Sequence, residues 1–162
     1  MNRLEGREKL KETSDQFAEQ LSEAERLQQD GEASDRILQS IETDDLDSDT
    51  QEAAEQVKSE YSDTYNEAIT EVGEQVEGTA ETAQGNVESL NENKEQVERN
   101  AERYAEAAGI SELGSSSAES GRSKMESDSQ EYSEIINANE EAIRESRERA
   151  KSMKDRISGL FG

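Results

Sequence analysis

Carboxylates are the only abundant side chains in this sequence that could perform acid–base or metal-binding chemistry. The 162-residue chain contains 41 Asp and Glu residues but no His and no Cys. Histidine-based acid–base catalysis, Ser-His-Asp triads, cysteine nucleophiles and thiolate zinc sites are therefore excluded. Because carboxylates stand throughout the chain, no chosen pair marks a catalytic site. We expect no catalytic residues, no enzyme activity and no cofactor.

The clearest acidic pattern is Asp45, Asp47 and Asp49, which resembles the opening of a calcium-binding loop. Such a loop needs glycine at its sixth position and glutamate at its twelfth. Those positions hold Thr50 and Gln56. We therefore interpret the aspartates as an acidic linker before a helix, whose N-terminus favours negative charge. No metal site is expected.

A row of small and apolar residues at helical spacing indicates which elements build the fold. From Val57 to Ala108 such residues recur about every 3.6 residues, the α-helix repeat, and the chain has no proline to interrupt them. A second row, from Tyr132 to Leu160, follows alternating steps of four and three, the heptad of a coiled coil. Both patterns predict long helices that pack on other helices. Fourteen residues form this predicted interaction seam: Val57, Tyr61, Tyr65, Val72, Val76, Val87, Leu90, Val97, Tyr104, Tyr132, Ile136, Ile143, Met153 and Ile157.

These patterns predict a single all-α domain over residues 1–162. We expect an elongated antiparallel helical hairpin or coiled-coil bundle, with an additional N-terminal helical layer. Gly73, Gly78 and Gly85 lie inside the longest helix and each cost about 1 kcal/mol relative to alanine, so its continuity is left open. The predicted helices cover about residues 2–29, 33–43, 50–108 and 118–158, with a loop at 109–117.

Local signals predict where these helices begin and end. Asn2, followed three residues later by Glu5, predicts an N-terminal cap. Gly31 predicts a helix end, because glycine commonly follows the last helical turn. Ser48 and Gln51 predict a capping box at the start of the longest helix.

The net charge of −23 is unevenly distributed along the chain. Residues 1–12 carry four cations and three acids, a sum of +1, and residues 143–162 carry six cations and three acids, a sum of +3. The remainder, residues 13–142, therefore holds −27. The basic ends are either solvated helix faces or contact surfaces. The acidic majority disfavours nucleic-acid binding.

Composition limits both the core and the location of the protein. Hydrophobic residues are only 29% of the chain, so we expect a thin core, with another helical chain or self-association supplying further apolar contact. No apolar run reaches the length needed for membrane insertion. The N-terminal residues show no signal-peptide h-region, which predicts a cytoplasmic protein, or one exported without a cleavable signal peptide.

The chain resembles the small helical proteins of bacterial type VII secretion, including helical partners of LXG-type toxins. The resemblance rests on the small, proline-free helical hairpin and the absence of an apolar leader. Leu4-Glu5-Gly6 also spells L-x-G, a three-letter match that is expected by chance. The Trp-x-Gly turn and the Tyr-x-x-x-Asp/Glu tag are not present. What the resemblance implies is a secretion-linked adaptor or a partner of an exported toxin.

Three functional hypotheses follow. The leading one is a non-enzymatic helical interaction protein that pairs with another helical chain, and the secretion-linked adaptor is its narrower form. The first alternative is an acidic DNA-mimic decoy that occupies a basic protein. The second is a phage-type scaffolding or assembly protein that docks through its basic residues 143–162.

Overall fold

Three helices make up nearly all of the described structure. The structure is a computed structural model that describes residues 1–41, 43–110 and 115–162. No strand occurs within these ranges, and the all-α prediction is confirmed. The helices are α1 (Arg3–Gln39), α2 (Ser48–Ile110) and α3 (Ser115–Ser158).

The chain divides into two compact units, each of which takes a segment from all three helices. Unit 1 combines Met1–Ser14 with Ala80–Ile143, and unit 2 combines Asp15–Thr79 with Arg144–Gly162. Each unit is therefore a small three-helix assembly. That the chain forms one domain stays a prediction.

In unit 1, α2 and α3 run antiparallel. Tyr104 of α2 packs against Gly121 of α3, and, closer to the start of α2, Ser129 Oγ donates a hydrogen bond of 3.0 Å to Glu98 Oε1. Residue numbers thus increase along α3 in the direction in which they decrease along α2. This is the antiparallel pairing that the predicted hairpin requires. The core between them consists of Val87, Leu90, Tyr132, Ile135 and Ile136, with Met1, Leu10 and Val97 packed against it.

The first turns of α1 complete unit 1 through a close contact at Gly6 and ion pairs with α3. A Cβ atom added at Gly6 would lie 2.6 Å from Leu90 Cδ2 and 3.5 Å from Ile135 Cγ2, so only glycine lets α1 approach this closely. Arg3 Nη1 lies 3.0 Å from Asp128 Oδ1 and 2.5 Å from Glu131 Oε2. The N-terminal cations therefore pair with acids of α3.

Unit 2 repeats the antiparallel pairing of α2 with α3. Arg147 donates two hydrogen bonds to Glu77, of 3.0 Å from Nε and 2.5 Å from Nη2. Further along α3, Ser158 Oγ donates to Asn66 Oδ1 at 3.0 Å. The hydrogen bond from Arg147 holds the pKa of the Glu77 carboxyl below its ordinary value.

The structure has one N-terminal helix where the sequence predicts two, because Gly31 does not end α1. A glycine that ends a helix normally takes a left-handed conformation, and no glycine among the described residues has a positive φ. Instead Gly31 is buried, and a Cβ there would lie 3.1 Å from Leu160 Cδ1 and 3.5 Å from Tyr65 Cδ1. Packing against these neighbours outweighs the low helix propensity of glycine. The predicted boundaries at 29, 33 and 43 are therefore wrong.

Helix α2 is continuous through its three internal glycines. Gly73, Gly78 and Gly85 have no heavy atom within 4 Å of an added Cβ, so they lie away from the packed face. That face carries the buried side chains of this stretch, which offset the weak propensity of the glycines. Its members are Ile69, Val72, Val76, Ala80, Ala83 and Val87.

One predicted helix cap is confirmed and one is shifted. Asn2 Oδ1 accepts a hydrogen bond of 2.8 Å from the Glu5 backbone N–H, and the Glu5 carboxylate accepts one from the Asn2 amide. For α2, however, Asp47 is the cap, since its Oδ1 accepts from the Thr50 N–H at 2.8 Å. An aspartate at the cap also suits the positive end of the helix dipole.

The predicted loop at 109–117 is shorter in the structure. Residues 109–110 belong to α2 and residues 115–117 belong to α3. The remaining residues of the predicted loop, 111–114, lie outside the described residues, as does position 42.

Alanine substitutions at two glycines of unit 1 separate helix propensity from close packing. Gly85→Ala is expected to raise the free energy of unfolding by about 1 kcal/mol, because its added methyl group meets open space. Gly6→Ala is expected to be about 1–3 kcal/mol less favourable than Gly85→Ala, because the fully buried Leu90 side chain would have to shift within a packed core. Urea denaturation of both variants measures the difference. Equal effects would contradict the close contact at Gly6.

The ion pair of unit 2 generates a pH prediction. The lowered pKa of Glu77 means that its contribution to stability is present above pH 4.5 and is lost as the pH falls through the lowered value. Arg147→Gln should move the Glu77 midpoint upward in an NMR titration, whereas Arg144→Gln, a matched change on the same helix, should not. Both partners are about half exposed, so we expect Arg147→Gln to cost at most about 1 kcal/mol of stability. An unchanged Glu77 midpoint in Arg147→Gln would refute the pairing.

Candidate interaction surface

Most of the predicted interaction seam is buried within the chain itself. Nine of its fourteen residues are buried, so in this structure they contact other helices of the same chain. Any role of the seam in binding another chain stays a prediction, and it now concerns the members that remain accessible. The buried members are Val72, Val76, Val87, Leu90, Tyr132, Ile136, Ile143, Met153 and Ile157.

The other five seam residues are partly or largely accessible. Val97 packs on the core of unit 1 at its edge, and Tyr104 is exposed over Gly121. Tyr65 is half-buried in unit 2, while Val57 and Tyr61 are exposed there. In unit 2, the seam residues thus become exposed toward the start of α2.

The sequence pattern missed a second buried row beside the seam. Ile69 and Ile135 are almost completely buried, although neither was assigned to the seam. A seam one residue wide suits contact with a single helix, but each helix here contacts two others and must bury a wider stripe. The signal was present as adjacent pairs, Ala68 with Ile69 and Ile135 with Ile136.

An aromatic cluster in unit 2 joins α2 to the residues after α3. The Phe161 ring centroid lies 5.7 Å from that of Tyr65 and 6.0 Å from that of Tyr61. The Phe161 backbone N–H donates a hydrogen bond of 3.0 Å to Asp35 Oδ1. This bond and the ring packing hold Phe161 at a φ of 63°, which is unusual for a residue with a side chain. The cluster covers part of the apolar surface at this end of α2.

An apolar groove lies one helical turn from that cluster, between the end of α1 and the start of α2. Its volume is about 260 Å³. Four of the six exposed large hydrophobic side chains in the described residues belong to unit 2, and two of them, Ile41 and Val57, line this groove. Contiguous exposed apolar surface commonly marks an interaction site, whereas isolated exposed residues do not. The apolar lining consists of Leu38, Ile41, Leu46, Ala53, Ala54 and Val57.

Hydrogen bonds fix the connection that forms one wall of the groove. Gln51 Nε2 donates to the Thr43 carbonyl at 2.8 Å and to the Leu46 carbonyl at 3.1 Å. The Leu46 N–H in turn donates to the Thr43 carbonyl at 3.1 Å. Gln51 therefore orders the connection rather than capping α2 as the sequence predicts. A wall held in this way costs little further ordering when a partner binds.

The segment that supplies most of the groove lining is acidic. Residues 40–57 contain seven of the 41 acidic residues and none of the 18 basic ones. Among the described residues, the one charged side chain that lines the groove is Lys58, whose Nζ lies 3.8 Å from Glu55 Oε1. The exposed acids that adjoin lining residues in the sequence form the rim of the groove, namely Asp44, Asp45, Asp49 and Glu52. Hydrogen bonds from Thr50 lower the pKa of Asp47, which keeps that carboxylate ionised. The groove therefore combines an apolar floor with a negative rim.

This arrangement can bind and position a partner, and we assign no reaction to it. Within the described ranges, no group of three or more acidic side chains is placed to hold a metal ion. None of the helices in those ranges is both long and apolar enough to span a membrane. Comparisons with protein-family models, curated proteins and solved structures find no match for this chain.

Proposed function

We propose that this protein is a non-enzymatic helical interaction protein that binds another protein through the apolar groove of unit 2. The observation that supports the proposal most strongly is the contrast between the seam and the groove. Nine of the fourteen seam residues are buried within the chain, whereas Ile41 and the seam residue Val57 remain exposed in one concave surface. Contiguous exposed apolar surface commonly marks an interaction site, and binding of a partner would bury this surface.

The groove, of about 260 Å³, is large enough to take one or two side chains of a partner protein. Protein interfaces commonly depend on one or two anchoring side chains that fill such a pocket. A helix lying in a groove delivers its anchors at intervals of three and four residues, which fits the leading hypothesis of a helical partner.

The narrower hypothesis is an adaptor linked to secretion, as the resemblance to type VII helical proteins implies. It gains support if the partner is an exported protein or a secretion component. The acidic-decoy and assembly hypotheses stay predictions, because no contact within the described residues favours either of them.

Affinity capture from the native cells tests the proposed binding surface. The tagged protein is compared with a groove variant, Ile41→Ser combined with Val57→Ser, which removes two exposed apolar side chains of unit 2. The control is Leu4→Ser, which removes an exposed large apolar side chain of unit 1. We expect the groove variant to capture its stoichiometric partner at least about tenfold less well, because the anchoring contacts are lost.

The control variant should capture the same partner as the original protein. Circular dichroism should show equal helicity for all three proteins, since every substituted side chain is exposed. Equal capture by the groove variant, or no stoichiometric partner for the original protein, would refute the proposal.

A further inference from the structure

We propose that the segment bound in the groove of unit 2 is a cationic amphipathic helix of a partner protein. This inference rests on the proposed function and adds the chemistry of the partner to it. Two features of the groove determine that chemistry, namely its apolar floor and the sign of the charge around it. Together they favour one class of occupant and disfavour acidic, phosphate-bearing and wholly polar ones.

The apolar floor requires a partner that presents apolar side chains on one face. Leu38 and Ile41 lie one turn apart near the end of α1, and Ala53, Ala54 and Val57 lie within two turns near the start of α2. The two alanines leave space that a larger side chain can fill. An amphipathic helix with anchors at positions i, i+3, i+4 and i+7 matches a trough formed by two helices.

The rim requires positive charge on the rest of that helix. Asp44, Asp45, Asp49 and Glu52 are exposed, and each adjoins a lining residue in the sequence. Lys58 lines the groove but lies beside Glu55, so the acids outnumber the cations there. A partner with acidic or phosphate groups would be repelled by this rim. A partner with lysines and arginines would be attracted, bind faster, and lose affinity in salt.

A second copy of this chain lacks the required combination. At the cationic end of α3, Met153 and Ile157 are buried in the core of the same chain. The exposed face of that end therefore offers charge without apolar anchors. The basic start of α1 exposes one large apolar residue, Leu4, and Arg3 there already pairs with Asp128. The cations therefore have to come from a different protein.

A panel of four labelled synthetic peptides tests the inference directly. Each has about 18 residues, or five helical turns. Three share the same leucines at helical spacing and differ only in the polar face, which carries lysine and arginine, glutamine and serine, or glutamate. The fourth keeps the cationic composition in a scrambled order that destroys the apolar face. Fluorescence anisotropy with the full chain measures affinity at low and at high NaCl concentration.

The cationic amphipathic peptide is expected to bind at least about tenfold more tightly than the other three at low salt, and to lose most of that advantage over the neutral peptide at high salt. The groove variant, Ile41→Ser with Val57→Ser, should weaken binding about tenfold or more at both salt concentrations, because the apolar contacts are lost. A rim variant, Asp44→Asn with Asp45→Asn, should weaken it about threefold to tenfold at low salt only. The charge-matched control, Glu140→Gln with Glu141→Gln on α3 of unit 1, should bind as the original protein does.

Three results would overturn the inference. The first is binding of the neutral or acidic peptide as tightly as the cationic one, or failure of the cationic peptide to bind. The second is equal binding of the scrambled peptide, since charge alone would then suffice. The third is a cellular partner that depends on the groove through an acidic or uncharged segment, which would leave the proposed function standing. If the groove variant captures the cellular partner normally, the proposed function itself fails.

Discussion

Burial of a narrow apolar face between three helices is the interaction on which the rest of this structure depends. The chain carries a net charge of −23, so self-repulsion opposes every compact arrangement. Exposed ion pairs contribute little against that repulsion, which leaves apolar burial as the main favourable contribution. The core achieves this with small side chains, since Ala80 and Ala83 are fully buried and let neighbouring helices approach closely. Gly6 and Gly31 serve the same purpose at points where even a methyl group would crowd its neighbours.

The basic ends of the chain have a structural role within this scheme. Arg3 contacts acids of α3 in unit 1, and Arg147 contacts Glu77 of α2 in unit 2. These cations lie where acidic helices meet, and they reduce like-charge repulsion at those places. This favours the interpretation of the basic ends as helix faces that serve the fold. The lining of the groove of unit 2 includes neither arginine, and Lys58 is its one charged residue, so the exposed acids that adjoin the lining in the sequence outnumber the cations there.

Features governed by neighbours in sequence could be predicted, and features governed by neighbours in space could not. The helical class followed from the spacing of apolar residues, and the Asn2 cap followed from Glu5 three positions later. Gly31 does not follow its sequence signal, because its role depends on Leu160 and Tyr65, which are distant in the sequence. The burial of Ile69 does not follow from a row of single residues, because such a row does not reveal that α2 has two neighbours. The groove could not be predicted for the same reason, since its lining combines the end of α1, the connection that follows it and the start of α2.

The central claim is that one chain buries most of its own seam and presents the groove of unit 2 to a partner. The most direct test measures helicity and thermal unfolding by circular dichroism over about a hundredfold range of protein concentration, with sedimentation to report the mass. We predict a helical monomer whose unfolding temperature does not change with concentration. Helicity that appears only at high concentration, or a chain that is mainly coil at low concentration, would contradict the claim, because the seam would then need a second chain to be buried.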